Sequence, residues 1–273
     1  MLKFKVSERE NGRRLDRILH DRYPEIGRNQ FYKLLRKKDI RVNGSKTGEN
    51  IQLFNGDDVL CYIDLKRHYK IIFEDENILV VSKDQGIPVQ SDSNMEISLL
   101  EEVQADFGTC CRLCHRIDRN TGGIVILAKN PEAEAEVLQL FREGRVKKHY
   151  SCIVKGRMPN RQAVKTAWHF KDNKKSRVYI YDEKRKGARE IKTGYYLEKY
   201  DAEKNVSYLR IALFTGRTHQ IRAHMAHLGH PVVGDGKYGT PDTKEGLGLR
   251  YQALWASEIE TDLFKLKDPP RFQ

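Results

Sequence analysis

The chain has 273 residues, enough for one sizeable core and a small second domain. Its 50 lysines and arginines outnumber 38 acids and leave a formal net charge of +12, which favours a polyanionic partner. No segment reads as membrane-spanning, the charged start Met1-Leu2-Lys3-Phe4-Lys5-Val6 lacks an apolar export core, and five cysteines without an export signal fit reduced thiols in the cytoplasm.

In chain order, Leu15, Ile18 and Leu19 repeat at helical spacing, as do Phe31, Leu34 and Leu35, and both sets leave basic residues facing away. Residues 28–41 carry six lysines or arginines and one acid, with Arg28, Lys33, Arg36 and Lys37 as candidate phosphate contacts. Ile40-Arg41-Val42-Asn43-Gly44 predicts a strand entering an Asn-Gly turn, and Gly56 to Ile63 a closing strand. The charged, aperiodic stretch 64–70 predicts a linker, so the division is a small unit over 1–66 and a larger one over 67–273.

In the larger unit, Cys111-Arg112-Leu113-Cys114-His115 matches the c-type haem pattern C-x-x-C-H, but that attachment belongs to exported proteins. Cys110, Cys111 and Cys114 are instead expected to be buried small residues near the following motif. That motif, His115-Arg116-Ile117-Asp118-Arg119-Asn120-Thr121-Gly122-Gly123, sets one carboxylate among basic neighbours, directly before the buried-strand run Ile124-Val125-Ile126-Leu127-Ala128. Asn130-Pro131-Glu132 starts a helix, with an N-cap and a first-position proline; Val137, Leu138 and Phe141 are its expected buried face and Gly144 its end. Tyr150–Val154 and Val206–Phe214 predict strands, and residues 165–192 hold ten basic residues against four acids. Thr215-Gly216-Arg217-Thr218-His219-Gln220-Ile221-Arg222 then leads into a helix expected over Thr218–Leu228, ended by Gly229. His219, His224, His227 and His230 could begin a zinc site, but no second cluster with a catalytic Glu accompanies them, so no metal is expected. The element order gives an α+β fold with a mixed, largely antiparallel β-sheet and a small N-terminal α/β domain.

The Asp118 segment and the Thr215–Arg222 segment closely resemble the two signature motifs of the RluA-type pseudouridine synthases, H-R-L-D-x-x-T-S-G and G-R-x-H-Q-x-R. Phe73 to Lys83, with Gly86 and Pro88, resembles that family's opening hairpin, while Asp84 replaces its usual proline and Gly122 its usual serine. The missing serine hydroxyl implies a looser loop after Asp118. Residues 13–63 resemble the RNA-binding domain first known from the fourth small-subunit ribosomal protein. The resemblance implies a pseudouridine synthase catalytic domain, Asp118 as catalytic carboxylate, Arg222 as its partner, Tyr150 as the active-site tyrosine and Arg116 as the residue that displaces the target nucleotide. It also implies RNA contacts from Arg217, His219 and Gln220.

The chemistry agrees with that resemblance. Uridine isomerisation needs one carboxylate at the sugar–base junction, whereas glycoside hydrolysis uses two, and the motif supplies one. The expected function is isomerisation of uridine in structured RNA, ribosomal more than transfer, by a cytoplasmic monomer without cofactor. The alternative is a catalytically silent RNA-binding protein acting in ribosome assembly.

Overall fold

A computed structural model of the chain describes residues 2–23, 26–63, 67–90, 97–240 and 247–272. The chain divides into two compact units, Met1–Arg67 with Asn94–Ile97, and His68–Ser93 with Ser98–Gln273.

The small unit packs α1 (Leu15–Arg22) and α2 (Arg28–Lys37) with a four-stranded sheet of β1 (Leu2–Lys5), β2 (Ile40–Val42), β3 (Ser45–Thr47) and β4 (Asp58–Cys61), in the order β1-β4-β2-β3. The two helical triplets read from spacing are buried, and they pack with Val59 and Cys61 of β4 into one core. Asn43 and Gly44 both adopt positive φ, the conformation that a two-residue hairpin turn requires. Arg28, Lys33, Arg36 and Lys37 all point to solvent.

The larger unit is built on a mixed sheet that is eleven-stranded among the described residues. It begins with the hairpin β5 (Tyr69–Glu74) and β6 (Ile78–Lys83), followed by α3 (Leu99–Phe107), β7 (Arg112–Leu113), β8 (Gly122–Ala128) and α4 (Pro131–Arg142). The chain continues through β9 (Lys147–Lys155), β10 (Gln162–Asp172), β11 (Arg177–Tyr181), β12 (Arg189–Asp201) and β13 (Val206–Leu213). It closes with α5 (Gln220–His227), β14 (Leu254–Glu260) and β15 (Lys265–Lys267). The strand order is β11-β10-β12-β13-β9-β14-β8-β6-β5, with β15 on β14 and β7 on β8, and β8–β14 is the parallel pair. All seven residues of β8 and all six of β6 are buried, as expected for central strands with both faces covered.

Several expectations shift. Strand β5 already starts at Tyr69, because its pairing with Lys83 outweighs the local charge; residues 64–66 of the expected linker lie outside the described residues. Helix α4 buries Ala133, Val137 and Leu140, with Phe141 packed at the margin and Leu138 half-buried, so its inner face is rotated from the expected one. Cys110 is exposed, whereas Cys111 and Cys114 are buried. Helix α3 was not read from the sequence, although Ser98 and Glu101 form a reciprocal capping box at its start.

Gly122 reverses another expectation. A Cβ there would lie 2.2 Å from the Trp255 ring, and Gly123, at φ +107°, would place one 2.3 Å from the Ala256 carbonyl. Gln252 Nε2 also donates to Thr121 Oγ1 at 2.7 Å inside the protein. The loop after Asp118 is therefore clamped, and the missing serine is excluded by Trp255. Gly122→Ser should lower stability by about 1–3 kcal/mol, the usual cost of overpacking. A thermal melt checks this; an unchanged midpoint would show that Trp255 yields freely.

Candidate active site

Asp118 lies in the loop between β7 and β8, and the Thr121 amide donates to its carbonyl at 3.0 Å to close a tight turn. Its carboxylate is about a quarter exposed (23%), and Oδ2 accepts from Arg222 Nη1 at 2.8 Å. The two motifs, more than a hundred residues apart in the chain, thus meet in one ion pair.

Arg222 comes from the first turn of α5 and is 93% buried as a residue. Its guanidinium is shared. Nε and Nη2 donate to both oxygens of Asp235, at 2.7 and 3.0 Å, leaving Nη1 for Asp118. Burial works against the cation, but the bidentate Asp235 bond and the two carboxylate charges hold its pKa above that of a free arginine. Asp235 is also desolvated. Its bonds to Arg222 and to the Lys237 and Tyr238 amides overcome that penalty and keep its pKa below the usual carboxylate range. Its side chain has no exposure at all, so the fork Asp118–Arg222–Asp235 is anchored at its inner end.

His219 caps α5 from a left-handed conformation, φ +52° and ψ +23°, which is why the helix begins at Gln220 rather than Thr218. Such backbone persists only when the surroundings over-determine it. Here the imidazole is held on both sides. Nε2 lies 4.0 Å from Asp118 Oδ1, and Nδ1 lies 2.9 Å from the Tyr238 hydroxyl. The Val178 amide donates to that hydroxyl at 3.1 Å, which fixes the tyrosine against the imidazole. Burial lowers the His219 pKa against the opposing pull of the Asp118 charge, and neighbouring Arg222 and Lys237 add to the lowering.

Asp118, His219 and Arg222 line a cleft of about 560 Å³ together with Tyr150, Arg116, Arg217, Lys148 and Lys171. That volume suits a single nucleoside. Tyr150, from β9, is 8% exposed, and burial pushes its phenol well above the usual value, with the Asp118 charge adding to the shift. Arg116 and Arg217 are exposed at the rim. Gln220, read as an RNA contact, is instead 2% exposed: its amide bonds Thr215, the Arg217 amide, the Lys192 carbonyl and Thr193, so it builds the turn that presents Arg217. His224 donates or accepts with Thr193 Oγ1 at 3.1 Å, and His227 pairs with Asp182, so the histidine series is divided among protein partners. Among the described residues, no group of three His, Cys, Asp or Glu side chains is arranged to hold a metal.

Lys83 escaped sequence reasoning. Its side chain is fully buried, and Nζ donates to the carbonyls of Asp84, Ile87 and Arg119 at 2.7–2.9 Å. Burial pulls its pKa down to about 7, while three acceptors match the three donors of the ammonium form. It fastens the Asp118 loop to the segment carrying Pro88 and Val89, which line the same cleft. Asp235 and Tyr238 were also missed; only their setting in Gly234-Asp235-Gly236-Lys237-Tyr238-Gly239 marked a turn.

The family model for RNA pseudouridylate synthase matches residues 77–227, which contain Asp118, Tyr150 and Arg222. The chain belongs to the RNA pseudouridylate synthase family. An uncharacterised RNA pseudouridine synthase of Mycoplasma genitalium is 33% identical, over 94% of this chain and 88% of its own length. A ribosomal large subunit pseudouridine synthase C of Vibrio parahaemolyticus is 30% identical, over 93% and 86%. Human RNA pseudouridylate synthase domain containing 1 shares the fold, with a TM-score of 0.63 and 24% identity over 77% of this chain and 86% of that one. The protein is an isomerase that converts uridine to pseudouridine in RNA. No helix among the described residues is long and apolar enough to cross a membrane.

Proposed function

We propose that this pseudouridine synthase acts on structured ribosomal RNA through Asp118, with the small basic unit as an RNA-binding module. The observation that carries the catalytic part is the Asp118–Arg222 pair at the floor of a nucleoside-sized cleft. The reaction breaks the bond between C1′ and N1, turns the base and joins C1′ to C5; the C5 proton leaves and N1 gains one. Atoms balance without a cofactor. Arg222 grips Asp118 at 2.8 Å and aims it at the sugar–base junction, so it can act as nucleophile or base there. The raised phenol of Tyr150 rules it out as a resident tyrosinate near neutral pH and leaves it to position the base or pass a proton already in motion. Arg116, exposed at the cleft, would fill the space left when the uridine swings out of its stack, a step that costs roughly a few kcal/mol.

Ribosomal RNA is favoured by the large-subunit relative, which aligns over both units. The small unit supports the same reading, since one exposed helix surface presents Arg28, Lys33, Arg36 and Lys37. Mapping pseudouridines in ribosomal and transfer RNA, with and without the protein, tests the target: sites lost only from transfer RNA would overturn the ribosomal assignment.

The role of α2 has its own test. Replacing Arg28, Lys33, Arg36 and Lys37 together by alanine should weaken RNA binding with little change in kcat. Such contacts position the RNA, and each one lost lowers the logarithmic salt slope by about 0.7–0.9. A loss of kcat at saturating RNA would place these residues in the chemistry instead.

A further inference from the structure

The isomerisation takes a proton off C5, and that proton needs an acceptor. When C5 joins C1′, the carbon holds both the new bond and its hydrogen. Breaking C5–H returns the electron pair to the C5–C6 double bond and moves the C6–N1 pair onto N1, which takes up a proton. The proton leaves an atom one bond away from C1′, so its acceptor has to stand beside the carboxylate that addresses C1′.

Arg222 Nη1 occupies Asp118 Oδ2, which leaves Oδ1 for the sugar–base junction, and His219 Nε2 lies 4.0 Å from that free oxygen. The other titratable groups of the cleft are engaged or hold no lone pair. His115 Nε2 accepts from the Ile126 amide at 3.0 Å, and burial holds Tyr150 as a neutral phenol. Lys148 Nζ sits 5.4 Å over the Phe141 ring, a contact that favours its ammonium form, while Arg116, Lys171 and Arg217 are exposed cations. The backbone singles out the same residue. His219 holds φ +52°, and the other described non-glycine residues with positive φ, Lys38, Asn43, Ser176 and Asn205, are all exposed. Glycine would keep that conformation at lower cost, so the backbone alone gives no reason for an imidazole in the cleft.

We propose that His219 is a second catalytic residue: Nε2 takes the C5 proton, and the imidazolium so formed gives a proton to N1, directly or by exchange with water. The role requires hydrogen on Nδ1, donated to the Tyr238 oxygen 2.9 Å away. The charges around the ring come from Asp118 in the β7–β8 loop, Arg222 on α5, and Asp235 and Lys237 in the turn after α5, with Arg177 of β11 over the far side of Tyr238. Burial works against a standing charge on the imidazole, and the two carboxylates offset a transient one. The inference rests on Asp118 as the group that addresses C1′.

The full chain, in excess, is mixed with a transcript of the RNA in which pseudouridine mapping locates the target, made with hydrogen or deuterium at C5 of uridine. His219→Asn tolerates the left-handed backbone, and His219→Gly opens a ring-sized space. Both should lower the single-turnover rate at saturating RNA about a hundredfold or more, the usual worth of a positioned acid–base group, with RNA affinity within about threefold of the parent. Proton removal then limits the reaction, so deuterium should slow the variants more than it slows the parent. Free imidazole should restore His219→Gly in proportion to its concentration and do nothing for Asp118→Asn. Melting midpoints report folding, and either folded variant carries the test. A slow variant whose deuterium effect is unchanged and, for glycine, whose rate ignores imidazole overturns the proposal, because the ring then only holds the turn. Parent-like rates overturn it too: a loss confined to affinity makes His219 an RNA contact, and no loss leaves Asp118 to take the proton itself. An active Asp118→Asn sinks the reading of Asp118 and this inference with it, whereas an inactive Asp118→Asn beside normal His219 variants removes His219 alone.

Discussion

Asp118→Asn should abolish pseudouridine formation while leaving the fold and RNA affinity close to those of the parent. The replacement is nearly isosteric, and its amide oxygen can still accept from Arg222 Nη1, which now lies 2.8 Å from Oδ2. Arg222 also keeps its bidentate partner Asp235, so no buried charge is stranded. What disappears is the negative charge and the nucleophilicity at the sugar–base junction. A drop of at least a thousandfold is expected, equivalent to about 4 kcal/mol of barrier. Incubating purified variant and parent with the same RNA and quantifying pseudouridine decides the matter. Activity above a few percent of the parent rate would remove Asp118 from the chemistry.

Arg222→Ala should damage stability as well as catalysis, and in a way that exposes which carboxylate depends on it more. Asp118 is partly solvated, whereas the Asp235 side chain has no exposure. Removing one partner of a buried pair costs about 3–5 kcal/mol, and most of that should come from Asp235. It follows that Asp118→Asn added to Arg222→Ala recovers little stability, whereas Asp235→Asn added to Arg222→Ala recovers much of it. Arg222→Lys keeps a charge but loses the planar fork that serves two carboxylates at once, so its defect should be smaller yet still large.

The pH dependence carries a sign. In the parent, Asp235 has a folded-state pKa below its unfolded value, so its stabilisation is complete above about pH 4 and is lost as pH falls through the lower folded value. Without Arg222, burial dominates and raises that pKa above the unfolded value. The contribution then reverses: Asp235 costs most when forced to ionise, and the variant should lose stability as pH rises from about 4 toward neutrality. Denaturant melts across that range separate the two cases. Equal losses at acidic and neutral pH would show that Asp235 is satisfied by the Lys237 and Tyr238 amides alone.

Much of the molecule was legible in the chain because its causes are local. The triplets Leu15/Ile18/Leu19 and Phe31/Leu34/Leu35, the Asn43-Gly44 turn and the Asn130-Pro131 helix start each follow from periodicity, φ preference or capping within a few residues. Asp118 and Arg222 could be named as candidates because two motifs hold short spacings whose residue types suit one reaction, and Tyr150 because the family resemblance implies it. The pairing of Asp118 with Arg222 was expected from that resemblance, and the 2.8 Å contact is what the fold contributes.

Tertiary structure alone decided the rest. Asp235 matters because the chain after α5 turns back and buries it against Arg222, and nothing near position 235 reports that guanidinium. Lys83 looks like an ordinary basic strand end until three carbonyls from two loops converge on it. Gly122 read as a loosened loop because its neighbour in space, Trp255, is far away in sequence and reaches it only through the parallel β8–β14 pairing. The face of α4 was misread by one step, since Leu138 and Leu140 are equally apolar and only the position of the sheet chooses between them. Local chemistry determines which residues can form a helix, a turn or a motif; which of them are buried, paired or sterically forbidden to grow depends on contacts between segments that the chain order keeps apart.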